Sequence, residues 1–276
     1  AADNGSSPSN NFIIAADGSI STPTAGASNF RAGVNAGNSI ASGSNYNVLI
    51  GDEAGTALNA GDYNVAIGYQ AGMALNAGSV NTLIGALAGD AATDADYLVA
   101  IGVSSQTNNV SSNFNTSVGG NTMLGVLTAA DTFNTAVGHF AGGSVTTGIK
   151  NTIIGGLAGD ALTDADVNVV VGAEALAIDT LGSGSVAIGR SSLETQNFTT
   201  ATDTENTAVG NQAGLSNLTG TAATFIGHYS GRFATTADAT TFVGANAGRG
   251  IDGTKLTGNN NTAIGTSAGL VLQGAA

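Results

Sequence analysis

Two histidines occur in the chain, His139 and His228, and each directly follows a glycine. An imidazole can act as base, proton shuttle or metal ligand, so the residues at equivalent positions decide what these two can do. The equivalents are Asp52, Tyr69, Ala86, Arg190, Asn211 and Thr266. That spread fits a solvent-facing turn and no fixed chemistry. With no cysteine in 276 residues, thiol nucleophiles, disulfide frameworks and thiolate zinc sites are excluded. No Gly-x-Ser-x-Gly occurs, and no Ser–His–Asp arrangement can be assembled. The stretch Gly182-Ser-Gly-Ser-Val-Ala187 matches a loose Gly-x-Gly-x-x-Ala pattern. It leads into a strand instead of joining strand to helix, so it is not a dinucleotide loop.

The carboxylates fare no better. Asp94/Asp96 and Asp164/Asp166 sit in matching Thr-Asp-Ala-Asp contexts. Calcium needs about six to eight oxygens, and the calcium-binding nonapeptide of other β-rolls is absent, so both pairs read as solvated loops. Glu53, Glu174 and Glu194 are scattered, and aromatic residues make up only 5% of the chain. Neither a glycosidase acid pair nor a sugar platform can be named. We expect no enzyme activity, no metal and no cofactor.

The composition narrows the classes further. Six Lys+Arg against 19 Asp+Glu give a net charge of −13, which excludes nucleic acid as a partner because a row of phosphates could not be neutralised. Hydrophobic residues reach 42%, too many for a disordered chain. No apolar run reaches the ~18–20 residues of a membrane helix, so membrane insertion of this segment is not expected. The chain starts at Ala1 with no signal peptide, which points to a processed product or a part of a longer chain.

What must position these residues is a repeat. A motif ending in Ile-Gly or Val-Gly recurs at Gly51, Gly68, Gly85, Gly102, Gly119, Gly138, Gly155, Gly172, Gly189, Gly210, Gly227, Gly244 and Gly265, with Gly33 a degenerate fourteenth copy. Nine of the thirteen intervals are seventeen residues and the rest are longer by one to four. One residue before glycine stands Ile or Val, three before stands Val or Thr, and four before stands Asn in nine copies. β-branched positions two apart share one face of a strand. One unit of this size cannot bury its own apolar face, so units must stack. The expected fold is all-β: a parallel β-solenoid of about 14 coils, with a lead-in over residues 1–28 and the repeat domain over 29–276. The Asn column is expected to form a side-chain ladder. A six-residue aliphatic period, needed for a triangular coil, fails at Asp62, Asp90 and Asp96. A flattened roll fits, with a second strand in segments such as 56–58, 73–75, 160–162 and 270–272. Insertions at 194–205 and 250–260 fall in the closing loops.

The Ile/Val column is expected to be the buried ridge, so Ile188→Asp should break the core and His139→Ala should leave folding intact. The column two before glycine then points the other way. It reads Leu49, Ala66, Leu83, Ala100, Ser117, Ala136, Ile153, Val170, Ala187, Ala208, Phe225, Phe242 and Ala263. Small alanines tolerate water, but Leu83, Ile153, Phe225 and Phe242 argue for a covered surface. No Thr-x-Thr array repeats, which disfavours an ice-binding face.

The repeats Asn134-Thr-Ala-Val-Gly138, Asn206-Thr-Ala-Val-Gly210, Asn261-Thr-Ala-Ile-Gly265 and Ser185-Val-Ala-Ile-Gly189 resemble the head repeats of trimeric autotransporter adhesins and the repeat shafts of bacteriophage tail fibres. The resemblance covers roughly residues 29–276. It implies a left-handed β-roll assembled as a homotrimer with the motif strands around the axis. The adhesin heads have shorter units, so the loop side here is longer. Residues 11–22, with Asp17-Gly18 between two apolar stretches, resemble the lead-ins of phage fibre proteins and favour a virion fibre over an adhesin head. A polysaccharide-degrading tailspike is the remaining rival. The implied partners are further copies of the chain, other virion or surface-fibre subunits, and a host-cell receptor or glycan. The implied location is the virion surface or the cell exterior. Contact residues are expected at the exposed turns, at Tyr69, His139, Arg190, Asn211, His228 and Tyr229.

Overall fold

A computed structural model describes residues 13–14, 20–21, 25–125, 127–129, 131–252 and 256–271. Strands β1 (Ile13–Ile14) and β2 (Ile20–Ser21) pair antiparallel; Asp17-Gly18 lies outside the described residues. The chain divides into two compact units, Ala1–Gly120 and Asn121–Ala276. In the first, β3 (Phe30–Ala32), β4 (Val48–Ile50), β5 (Val65–Ile67), β6 (Thr82–Ile84), β7 (Val99–Ile101) and β8 (Thr116–Val118) pair in parallel, one per turn. In the second, the ladder runs through β9 (Thr135–Val137), β10 (Thr152–Ile154), β11 (Val169–Val171), β13 (Val186–Ile188), β15 (Thr207–Val209), β16 (Thr224–Ile226), β17 (Thr241–Val243) and β18 (Thr262–Ile264). The two units thus hold six and eight turns of an all-β parallel solenoid. The insertion after β13 adds β14 (Thr202–Asp203), which pairs in parallel with β12 (Gly182–Ser183). Among the described residues, the insertion at 250–260 carries one bridge, Ala234 to Leu256.

The backbone conformation repeats with the sequence. In the turn around Gly155, Lys150, Gly155, Leu157 and Gly159 all have positive φ, at 59°, 137°, 57° and 52°. Left-handed residues bend the chain sharply and turn their N–H groups along the stack. Lys150 N–H donates to Thr132 O (2.7 Å), Leu157 N–H to His139 O (2.9 Å) and Gly159 N–H to Ala175 O (2.9 Å). Neighbouring turns therefore absorb the backbone polar groups that a lone turn would leave unpaired. The segments 56–58, 73–75 and 160–162 are turns of this kind and not the expected second strand. Bonds such as Ala57 N–H to Met73 O (3.0 Å) still join them to the next turn. Strand geometry cannot form where left-handed residues recur every two or three positions.

The strand glycine is obligatory for two reasons. Its φ lies between 118° and 141° from Gly33 to Gly265, outside the L-residue range. A Cβ on Gly155 would also lie 2.6 Å from the carbonyl carbon and oxygen of Gly172. Successive glycines pack backbone against backbone.

Facing is the reverse of the sequence expectation. Each ladder strand from β4 onward has its middle residue inside: Leu49, Ala66, Leu83, Ile153, Phe225 and Phe242 are fully buried. The Ile/Val and Val/Thr columns on either side point outward, and Ile188 is 36% exposed, so Ile188→Asp is not a core-breaking change. The interior explains why the inner column looked irregular. It is about one side chain wide, and each strand residue must match the position four after glycine on the facing leg. Phe225 and Phe242 face Gly231 and Gly248, whose added Cβ would come within 2.2 Å and 2.3 Å of the rings. Conversely, Ala100, Ser117 and Ala187 share turns with the buried Gln106, Met123 and Leu193. Close packing, not a fixed residue type, sets this column.

The asparagine ladder forms as expected. Asn64 N–H and Nδ2 donate to Asn47 Oδ1 at 2.8 and 3.1 Å, and Asn64 Nδ2 also donates to Gly78 O at 2.9 Å. The same arrangement joins Asn151 to Asn134 and to Ala165 O.

Two substitutions check this account. Gly155→Ala should lower stability by about 2–4 kcal/mol, combining backbone strain with an overpacked contact, whereas Gly156→Ala should be neutral. An added Cβ on Gly156 meets only His139 O, at 4.0 Å. Thermal unfolding followed by circular dichroism reads both. Replacing Asn151 by Ala should cost about 1–3 kcal/mol, because it strips buried ladder partners.

Candidate functional site

The sequence-predicted contact residues lie on the turn that leaves each strand. Tyr69, His139, Arg190 and His228 are exposed; Asn211 and Tyr229 are half-buried. Tyr69 belongs to the first unit. In the second, Arg190, Asn211 and His228 occupy consecutive turns, linked by Gln212 N–H to Arg190 O (2.9 Å) and Tyr229 N–H to Asn211 O (3.1 Å). His139 stands apart, edge-on to Phe140 at 4.5 Å. Burial raises the pKa of Asp160, on the following turn, and the His139 charge partly offsets the rise.

The structure adds residues that the sequence reading did not name. Tyr229 lies between two groups: its ring is 3.7 Å from that of His228, tilted by 31°, and the Arg232 guanidinium sits 4.6 Å over its centre. Arg232 also covers Phe233 at 5.0 Å, and Arg249 approaches the same two rings at 5.5 and 6.0 Å. Both arginines are five residues past a strand glycine. Aligning that column would have revealed the pair, since its other members include Asp90, Asp160 and Glu194. A second feature lies in the first unit, where Tyr46 stacks on Tyr63 (4.9 Å) and Tyr97 on Phe114 (5.1 Å). These four stand five residues before a strand glycine, at positive φ. Ring faces turned to each other leave edges, not flat faces, to solvent.

Three of the paired carboxylates have structural partners. Asp96 Oδ1 accepts Ser79 N–H at 2.6 Å, Asp166 Oδ1 accepts Ile149 N–H at 2.7 Å, and Asp164 Oδ1 accepts the Thr147 hydroxyl at 2.5 Å. Asp96 and Asp166 stand six residues before a strand glycine, and Asp62 and Asp238 at the equivalent position likewise accept a backbone N–H, from Asn45 and Thr221. Glu53 accepts Gln70 Nε2 at 2.6 Å, and Glu174 accepts the Ser191 hydroxyl at 3.3 Å. Gly182-Ser-Gly-Ser-Val-Ala187 supplies β12 and the start of β13. Among the described residues, no three His, Cys, Asp or Glu side chains come together as a metal would require. No described helix is long and apolar enough to cross a membrane.

The outer strand face is a regular surface in each unit. None of the twenty-six outward strand positions from Val48 to Ile264 carries a charge. Each holds Val, Ile or Thr, and Ile154, Ile188, Ile226 and Ile264 are the most open of the Ile/Val column. Compared with known protein families, with curated proteins and with solved structures, the chain matches none.

The Asp160–His139 contact yields a pH test. A carboxyl whose folded pKa is raised contributes stability below the ordinary carboxylate value, and loses it as pH rises through the folded pKa. Asp160→Asn should therefore raise the melting temperature near neutral pH, with the gain vanishing at about pH 3, where wild type is already protonated.

Proposed function

We propose that the chain is a structural and adhesive fibre protein, a left-handed β-roll working as a homotrimer. Its closest role is a bacteriophage tail or host-attachment fibre segment displayed on the virion surface. The head of a trimeric bacterial surface adhesin is the alternative, since the same Asn-Thr-Ala-Val-Gly repeats carry both resemblances. The role is mechanical, with no catalytic step and no cofactor, and the target is a host-cell receptor or glycan.

One observation carries this reading. An uncharged, β-branched outer strand face recurs on each ladder strand from Val48–Ile50 to Thr262–Ile264 of a chain whose net charge is −13. Such a stripe marks an association surface. Its side chains repeat at the inter-strand spacing of about 4.8 Å along the stack and about 6.7 Å across it. A surface of matching period is needed to interdigitate with it, and another copy of this chain supplies one. Each half-covered Ile or Val that becomes buried adds roughly 1 kcal/mol, and the array is long enough for these to sum to stable association. The Leu/Ala/Phe column, expected to be covered by other copies, is instead the chain's own core, so the contact face proposed here is the pair of β-branched columns.

Light scattering coupled to size exclusion tests the assembly. Wild type should have about three times the 26.7 kDa chain mass. Paired substitutions Ile188→Asp and Val209→Asp, on adjacent turns, should leave the circular dichroism spectrum unchanged and release monomer. A monomeric wild type would overturn the proposal.

A further inference from the structure

We propose that the corner formed by Tyr229, Arg232, Phe233 and Arg249 binds a carboxylated saccharide. This names the ligand class for the adhesive role above and rests on that reading for its biological setting. The chain has three times as many acidic as basic residues, so a cation here has acids to choose from. Yet among the described residues neither Arg232 nor Arg249 has an ion-pair partner, and the Nε of each is buried with no hydrogen-bond partner. The two side chains leave adjacent turns, as Phe233 N–H donates to Arg249 O at 3.0 Å. Their guanidinium groups cover the same two rings. Like charges held together repel, and an anion seated on both relieves the repulsion.

The chemistry narrows the anion. Burial of each Nε leaves the terminal amino groups facing out, a planar fork that suits the two oxygens of a carboxylate. Cation–π contact with the two rings restrains both guanidinium groups before any ligand arrives. His228, exposed and stacked on Tyr229, extends the aromatic surface to one side. A bare inorganic anion would use only the arginines. A sugar acid would use both parts, carboxylate on the fork and ring C–H groups against the aromatic shelf. In the other turns the position of the two arginines holds Asp90, Asp160, Glu194 or an uncharged residue, so this corner reverses the local charge of the molecule.

Isothermal titration of the full chain with trigalacturonic acid at low ionic strength tests the site. Wild type should bind saturably, and Arg232→Gln or Arg249→Gln should each weaken binding about tenfold or more through loss of charge-assisted bonds. Lys150→Gln, a cation elsewhere in the same unit, should bind as wild type does. Tyr229→Ala should also weaken binding. Should either arginine variant misfold, the methyl-esterified trimer, which lacks the charge, gives the same test on wild-type protein and should not bind. Absence of wild-type binding, equal loss in Lys150→Gln, or equal binding of the ester would each overturn the site. Inorganic sulfate competing as well as trigalacturonate, with Tyr229→Ala unaffected, would overturn the saccharide assignment. The mass measurement above reads assembly independently, so a trimer that fails to bind refutes this site alone, and a monomer that binds refutes the fibre alone.

Discussion

The contact on which the solenoid depends is the one between successive strand glycines. With no Cβ in the way, the backbone of one turn lies against the carbonyl of the next, from Gly33 against Gly51 to Gly102 against Gly119 in the first unit and from Gly138 against Gly155 to Gly244 against Gly265 in the second. That approach keeps the turns of each unit at hydrogen-bonding distance, and the strands then set the other columns. Asparagines four residues earlier fall within reach of each other, and the left-handed residues two and four positions later find acceptors on the adjacent turns. Replacing glycine by any other residue would move two turns apart, and every column would lose its partner at once.

The repeat, the parallel stacking and the asparagine ladder were legible because each is written as a column of one residue type. The facing of the strand was not. Hydropathy favoured the Ile/Val column as the core, since its members are uniformly β-branched, while the true core column runs from Ala66 to Phe242. Uniformity proved to be the mark of the outer face, where every turn meets the same environment and strand propensity dominates. Variation marked the inside, where each residue answers to the volume left by its own facing leg, as Phe225 answers to Gly231. The second strand was misread for a related reason: residues 73–75, Met-Ala-Leu, are apolar like a short buried strand, but Gln70 and Gly72 sit in left-handed conformation just before them.

Of the six turn residues expected to be exposed, Tyr69, His139, Arg190 and His228 are, and Asn211 and Tyr229 are half-buried; the grouping of the turn residues was hidden. His228 and Tyr229 drew notice through chemistry, whereas Arg232, Phe233 and Arg249 gain meaning only when adjacent turns are superposed. A seventeen-residue period turns residues far apart in sequence into neighbours a few ångströms apart, so patches on such a molecule are written vertically.

The interior polar clusters carry a consequence of a different kind. A chain of near-identical turns risks slippage: a turn can skip its neighbour and dock on the next with most columns still aligned. What cannot be shifted is anything that occurs once. Gln106 bonds Ser117 Oγ and Asn109 inside the first unit. The fully buried Asp179 takes Gln196 Nε2 at 2.6 Å and Phe198 N–H at 2.9 Å inside the second. Displaced by one turn, each would be a stranded polar group opposite alanine or leucine, at a cost of about 1–3 kcal/mol or more. These clusters act as registration marks that let a monotonous sequence count its own coils.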